Sequence, residues 1–382
     1  MAFDYETIVV GGGISGMSCA LKLKENGRDV AIITDVLGGR VCYDSELKNN
    51  FGAVFYMENY KNAKKIVDFE APMTTDVLQL MLHTSPEKVF RFASPTMAVS
   101  LPQMVKFQKF MNETFIPEYN RYKDDCEIMP VAEAFEKHPD IKRYYYMKAS
   151  DVIAELGIDA IADNFVGKFA YACTGCKLNQ LNGLDFLNVT QGTVIPIYTF
   201  TFDPEAFTAK LDGKVVIDTI VKVEKQKGGS WKVTGESGTS YTCQNLVLAT
   251  TGLTTQKLLG IDEVRQPTML VSYLVKGMPT PDIRKASAHY YGDSFDVIAI
   301  TQRYDGLWNI FASKELDLGR FFQSYKVIKY IVWPEALYTY GDVIMKQDWD
   351  ENCYIAGDAN GLGLEPASVA GIYAANRILG NC

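Results

Sequence analysis

Gly11, Gly13 and Gly16, within IVVGGGISGM, stand at the G-x-G-x-x-G spacing. That spacing suits one kind of chemistry. The first glycine permits a tight turn, the second lets a pyrophosphate approach bare backbone, and the third lets a helix pack on a strand. The elements that must position them are readable on either side: YETIVV is an apolar, β-branched strand, and SGMSCALKLKENG carries apolar residues at helical spacing. Strand, turn and helix in that order set a helix N-terminus, with free N–H groups and a positive dipole end, against the anion. Ile14 and Ser15, which open that helix, join the glycines as candidate contacts. A second strand, GRDVAIIT, ends at Thr34 and Asp35. A dinucleotide fold places the group that accepts ribose hydroxyls about 20 residues beyond the glycines, and Asp35 is the candidate. Gly38, Gly39 and Arg40 then form a second glycine turn, closely followed by Gly52 and Ala53. Two such turns beside one nucleotide imply a cofactor longer than the first half of a nicotinamide dinucleotide.

The chain has 382 residues, 47% of them hydrophobic and 22% charged, the composition of a globular protein with room for two domains. A formal charge of -8 offers no basic footprint for nucleic acid, and no block of like charges suggests a polybasic membrane anchor. No apolar run reaches the ~18 residues of a transmembrane segment, and the first strand begins too early for a signal peptide, so a cytoplasmic protein is expected. The eight cysteines are scattered and are expected to be reduced and mostly buried. Cys173 and Cys176 form a C-x-x-C pair, but His83, His138 and His289 lie far off in sequence, so no metal site is expected and the pair reads as structural.

Residues 61–202 change character. KNAKKIVDF, MVKFQKFMNETF and ASDVIAELGIDAIADNFVGKFAYA read as helices. From FDPEAFTAKL the α/β pattern returns, with KVVIDTIVKVEKQ, GSWKVTG and SYTCQNLVLATTG as a meander that closes on a buried strand. TMLVSYLVKG, FDVIAITQ and LWNIFAS add strands to the inserted unit. The chain closes with a short strand into Gly357–Asp358 and a helix from about Pro366, a residue favoured at the first helical position. The fold class is therefore α/β: a discontinuous Rossmann-like nucleotide domain over 1–60, 203–268 and 345–382. A mixed α+β substrate domain is inserted as 61–202 and 269–344.

VGGGISGM, LGGRV, LVLATTG and CYIAGDANGLGLEPASVAGIYAAN resemble, in order and spacing, the FAD-dependent amine oxidase superfamily, which includes protoporphyrinogen oxidases and phytoene desaturases. The resemblance spans both ends and the middle of the chain. It implies a glutathione-reductase-type FAD domain, and the lack of a second glycine fingerprint argues against the pyridine-nucleotide disulfide reductases. Gly11, Gly13 and Gly16 would approach the FAD pyrophosphate, and Gly38, Gly39 and Arg40 would bear on the pyrophosphate and flavin edge. Val221 would hold adenine through its backbone, with Thr250 from LVLATTG also at the cofactor. Gly357 and Asp358 would reach the ribityl and phosphate region, and N–H groups of Ala367, Ser368 and Val369 would face the flavin N1–C2=O edge. Two departures stand out. Thr34 and Asp35 replace the family glutamate, with a loop about two residues short, and no cysteine is placed for a covalent flavin tether, so FAD is expected to be non-covalent.

The resemblance implies an oxidoreductase that takes hydride from a small organic molecule, at a C–N or C–C bond, to flavin N5, with oxygen or a quinone as final acceptor. YIVWPEALYTYGD is similar to the W-P-x-A segment of protoporphyrinogen-oxidase-like members and offers Trp333, Tyr338 and Tyr340 as candidate catalytic aromatics. Lys276 and Lys329 are alternatives for orienting water toward N5. Glu365 is expected to cap its own helix. Desaturation, reduction or isomerisation of a polyene or porphyrinogen-like substrate is the alternative within enzymes. A cofactor-free escort protein is the alternative of another class, which the retained Arg40 and Asp358 argue against. Oligomeric state is not legible.

Overall fold

Strand β1 (Tyr5–Val10), its last four residues buried, runs through the middle of the first sheet in the computed structural model, which describes residues 3–74 and 76–382. Helix α1 (Ile14–Glu25) follows it, and β2 (Val30–Thr34) pairs parallel with β1 from Thr7↔Val30 to Val10↔Ile33. β3 (Val215–Ile217) extends that side, parallel to β2. β4 (Ile220–Lys225), β5 (Trp231–Gly235) and β6 (Ser240–Leu248) form an antiparallel meander that returns β6 to the other side of β1, parallel, with Val10 opposite Leu248. β1 therefore lies between strands that enter from separate parts of the chain.

A helical layer packs on a second sheet of seven strands. α2 (Pro95–Phe110), a π-turn at Met111–Phe115 and α3 (Ile116–Asp125) run on as one rod, started by Ser94, whose hydroxyl accepts from Met97 N, and by Pro95 at the first position. α4 (Gly183–Thr190) is capped by Asn182, which accepts from Asp185 N at 2.8 Å. The sheet is dominated by β7 (Gln266–Pro279) and β8 (Phe322–Tyr340), paired antiparallel along most of their length. β9 (Asp348–Asp350) and β10 (Cys353–Ile355) bring the chain back to the first sheet, β10 lying parallel to the second half of β6. α5 (Leu364–Leu379) then packs on α1.

Two expected helices differ. KNAKKIVDF forms only a 3₁₀ turn, Ala63–Lys65, before strand Asp68–Pro72, which pairs with Ile197–Thr201. A run that short cannot hold a helix alone, and the strand partner supplies its backbone bonds. The long run from Ala149 breaks after Leu156 because Gly157 takes φ +59°, and Ile158 N closes back on Ile153 O at 3.1 Å.

α1 and α5 sit closer to their neighbours than side chains allow. A Cβ on Gly16 would lie 2.0 Å from the Gly11 carbonyl oxygen, and one on Gly371 would lie 2.0 Å from the Ser15 carbonyl oxygen. Gly16→Ala should therefore destabilise the fold by about 3 kcal/mol or more through backbone displacement, read as a lowered midpoint in denaturant; an unchanged midpoint would show that α1 can move.

In the second sheet, strand Leu80–His83 pairs with Ala288–Tyr291, and His83 Nε2 lies 3.0 Å from His289 Nδ1. His289 Nε2 faces the Ile283 and Ala286 carbonyls, so it carries the proton and Nδ1 accepts from His83. Burial first, then His289, pushes the His83 pKa down to about 3. The folded state keeps this ring neutral where the unfolded chain binds a proton below about 6.5. Its contribution is whole above that pH and drains as pH falls toward 3, at up to ~1.4 kcal/mol per pH unit. Urea titrations from pH 7 to 4.5 should show this loss, and His83→Phe should flatten the slope.

Candidate active site

The C-terminal ends of β1, β2, β6 and β10 all open on one edge of the sheet, because these strands are parallel. In open α/β sheets that edge, at the strand where order reverses, is where ligands bind. Gly11 makes the first turn at φ +106°, with a would-be Cβ 2.5 Å from Ala249 O. Gly13 is different. Its φ of -73° and ψ of 179° suit any residue, and a Cβ there would meet nothing within 4 Å. α1 begins just past it with no side-chain cap, leaving first-turn N–H groups, at Ile14 and Ser15, free for an anion. The Ser15 and Ser368 hydroxyls, both buried, have no hydrogen-bond partner among the described residues.

The second glycine turn rests on the first. Gly38 N donates to Gly12 O at 2.8 Å, and a Cβ on Gly39 would be 3.2 Å from Gly13 Cα. Thr34 is buried and its hydroxyl accepts from Gly12 N at 2.9 Å, so it shapes the loop rather than facing a ligand. Asp35 is exposed beside it, and Asp218 N donates to Thr34 O, which brings the segment leading to half-exposed Val221 to the same edge. Thr250 hydrogen-bonds Thr255 at 2.8 Å, next to the Gly11 turn.

Arg40 gathers the rest. Its guanidinium grips both Asp358 oxygens at 2.7 Å and donates to Ala336 O on β8 at 2.6 Å. Asp358 is only 4% exposed. Ala53 N donates to Arg40 O, which sets Phe51–Ala53 alongside, and the Phe51 carbonyl accepts from Ser272 Oγ at 2.7 Å and Trp333 Nε1 at 2.8 Å. Lys329 reaches Asp44 at 2.7 Å and stands over the Phe51 ring, while Lys276 is exposed on β7.

The three candidate aromatics of β8 diverge. Trp333 is pinned to Phe51. Tyr338 is fully buried under Gly252, its hydroxyl accepting from Leu253 N at 2.9 Å and donating to Glu335, so it is a supporting residue and not a cavity wall. Tyr340 packs beside Cys176, and burial pushes its phenol up to about 12. Burial likewise raises the Cys173 thiol to about 12 and Cys176 to about 11, so neither is a ready thiolate.

α5 begins at Leu364, earlier than Pro366. Gly363, at φ +106°, makes the entry turn, so the open N–H groups are those of Leu364 and Glu365, whereas Ala367 N is already bonded to Gly363 O at 3.2 Å. The expected contacts at Ala367, Ser368 and Val369 therefore lie inside the helical ladder, with only the Ser368 hydroxyl free. Glu365 does not cap its own helix. Its buried carboxylate accepts from the N–H groups of Lys61, Asn62 and Ala63, each at 2.9 Å, and so caps the neighbouring 3₁₀ turn.

The sequence did not point to a buried Arg265–Asp185 ion pair, 80 positions apart, which leaves Arg265 Nε and Nη1 without partners. Asp185 also lines a cavity of about 30 Å³, room for a water or two, with Lys123, Tyr119, Gln347, Gly361 and Val369. Residue types alone carry no signal for such long-range pairing. Arg265→Met should cost about 3–5 kcal/mol by stranding a buried carboxylate, and Arg265→Met with Asp185→Leu should recover most of it; a double-variant loss in urea melts equal to the sum of the two single losses would show that the pair is not coupled.

With this geometry in place, known proteins give a consistent picture. Residues 9–68 match the family model of an NAD(P)-binding Rossmann-like domain. No curated protein sequence matches the chain. Among solved structures, a putrescine oxidase double mutant from a redesign of cofactor binding superposes with TM-score 0.69 at 14% identity, covering 98% of this chain and 99% of its own. A CLA-producing fatty acid isomerase from P. acnes gives 0.68 at 14% identity over 100% and 99%. Cyclohexylamine oxidase from Brevibacterium oxydans IH-35A gives 0.64 at 12% over 98% and 97%. At these identities the likeness is one of fold, and at that level it meets the resemblance drawn from the sequence.

Proposed function

We propose that this chain is a flavin-dependent oxidoreductase that holds FAD non-covalently and oxidises a small organic substrate, an amine or a related C–N or C–C bond. The observation that carries this reading is Gly13. Nothing in the protein requires glycine there, since its backbone is ordinary and its Cβ direction is open. A bare backbone over open space at a helix N-terminus is what a pyrophosphate needs. The orphaned Ser15 hydroxyl and the free N–H groups of Ile14 and Ser15 would hold its oxygens. Asp35 and the backbone near Val221 would receive the adenosine end, and Arg40, Gly39, Gly357 and Asp358 the phosphate and ribityl portion.

In this reading 1–60, 203–268 and 345–382 form the cofactor domain, and 61–202 with 269–344 form the substrate domain. Bound flavin supplies an acceptor for hydride at N5. The chain's own residues supply position and electrostatics. The α5 N-terminus would offset negative charge on the ring edge through Leu364 and Glu365 N–H. Trp333, fixed by Phe51, and Tyr340 would wall the substrate space without acting as acid or base. Oxygen or a quinone would take the electrons. Two of the structural neighbours are named for amine substrates, which supports the C–N reading. A second reading, isomerisation, reduction or desaturation of a polyene or fatty chain, is favoured by the apolar Phe55, Leu270 and Leu337 that pack beside the helical core.

The purified chain should be yellow, and an anaerobic titration with amines, amino acids and unsaturated acids should bleach its flavin with one class, reversed by air if oxygen is the acceptor. A colourless protein that binds no added FAD would end the flavin reading and return the escort alternative. Gly13→Val should lose bound flavin while the cofactor-free thermal midpoint stays within about 2 °C of the parent; full flavin content in that variant would remove Gly13 from the site.

A further inference from the structure

α2 is apolar on the side it turns to solvent. Over its first three turns the outward arc carries Ala98, Val99, Leu101, Pro102 and Val105, with Val99 79%, Val105 64% and Leu101 51% exposed. The opposite arc, Met97, Ser100 and Phe107, is buried. A helix apolar on both sides belongs in a core or at an interface, and a contiguous exposed patch of this kind marks a contact surface.

Charge identifies the occupant. From Lys88 to Asn112 every charged residue is basic, namely Lys88, Arg91, Lys106 and Lys109, in a chain of net charge -8. Arg91 donates to the Leu78 and Lys285 carbonyls and Lys106 has no carboxylate partner among the described residues, whereas Lys88 pairs with Asp163 and Lys109 lies 3.9 Å from Glu113. Exposed apolar side chains followed on the same arc by Lys106 and Lys109, with Arg91 just before the helix, suit contact with an anionic interface. We propose that this face docks on an anionic lipid surface, α2 lying in the plane of the headgroups with Val99, Leu101 and Val105 among the acyl chains. Arg91, Lys106 and Lys109 then meet the phosphates, their stems lying along the apolar boundary. No helix among the described residues is long and apolar enough to cross a membrane, so the contact is peripheral. A second copy of the chain fits less well, since about half a dozen side chains on a convex rod fall short of the 20–30 residues a side of a standard interface. The inference does not depend on the flavin reading.

The full chain should co-sediment at low salt with vesicles of phosphatidylcholine containing phosphatidylglycerol, and much less with phosphatidylcholine alone or at high salt. Val99→Asp with Val105→Asp should weaken binding at least about tenfold with the thermal midpoint unchanged, both positions being exposed; Val99→Ser with Val105→Ser serves if the aspartates disturb folding. Lys106→Ser with Lys109→Ser should weaken binding and flatten its salt dependence. The proposal falls if the parent ignores anionic vesicles at low salt or if the α2 variants bind as well as it does. It also falls if light scattering finds a dimer that the variants dissociate, which assigns the face to a second copy.

Discussion

The Arg40–Asp358 fork is the tie on which the candidate site depends. Two N–H donors meet two carboxylate oxygens in parallel, joining a loop near the start of the chain to one near its end, 318 positions apart. The same guanidinium reaches a carbonyl of the second sheet at Ala336. Three segments that share no sequence proximity therefore meet at one planar group. A lysine could not bridge them in this way, because an ammonium lacks the fixed fork. Asp358 is nearly excluded from solvent, so Arg40 is also what makes its burial tolerable.

Around that tie the backbone is brought closer than side chains permit, and each glycine answers a different need. Gly11 and Gly38 take positive φ and turn the chain, while Gly16, Gly52 and Gly371 admit a neighbouring carbonyl within the space of a Cβ. Gly13 alone in the fingerprint has neither reason, which is why it speaks for a ligand rather than for the fold. The Ser15 and Ser368 hydroxyls are among the buried polar groups left without a partner among the described residues. Glu365 and Asn360 secure the far side of the edge. Glu365 holds the 61–63 turn, and Asn360 binds Met345 through both N–H and C=O at 2.8 Å.

Much of this edge could be read from residues in order. Strand, glycine turn and helix carry period and composition signals of their own, and the meander from Val215 to Leu248 is local in sequence. The misreadings have physical causes. Thr34 stands where a ligand contact is expected but closes the loop onto Gly12, since a hydroxyl is short enough to be used locally. Tyr338 has the size of a cavity wall but is consumed as a support beneath Gly252. α5 starts earlier than Pro366 suggests because Gly363 supplies the turn into the helix. Glu365 caps another element because its backbone neighbours lie some 300 positions away. The apolar face of α2 escaped notice for a related reason. A run such as PTMAVSLPQMV looks like core until the fold shows which arc has no partner.

The sequence by itself determined the strand, glycine turn and helix over residues 5–25, the meander from Val215 to Leu248 and the short strand that ends just before Gly357. Those follow from spacing and side-chain type, which act over a few residues. Only the tertiary structure decided that Arg40 and Asp358 grip each other, that Phe51 anchors Trp333 and Ser272, and that Asp185 and Arg265 share a buried charge pair. Each of these joins residues tens to hundreds of positions apart, and such partners are set by how layers stack and strands register. Local propensity and periodicity do not encode that stacking.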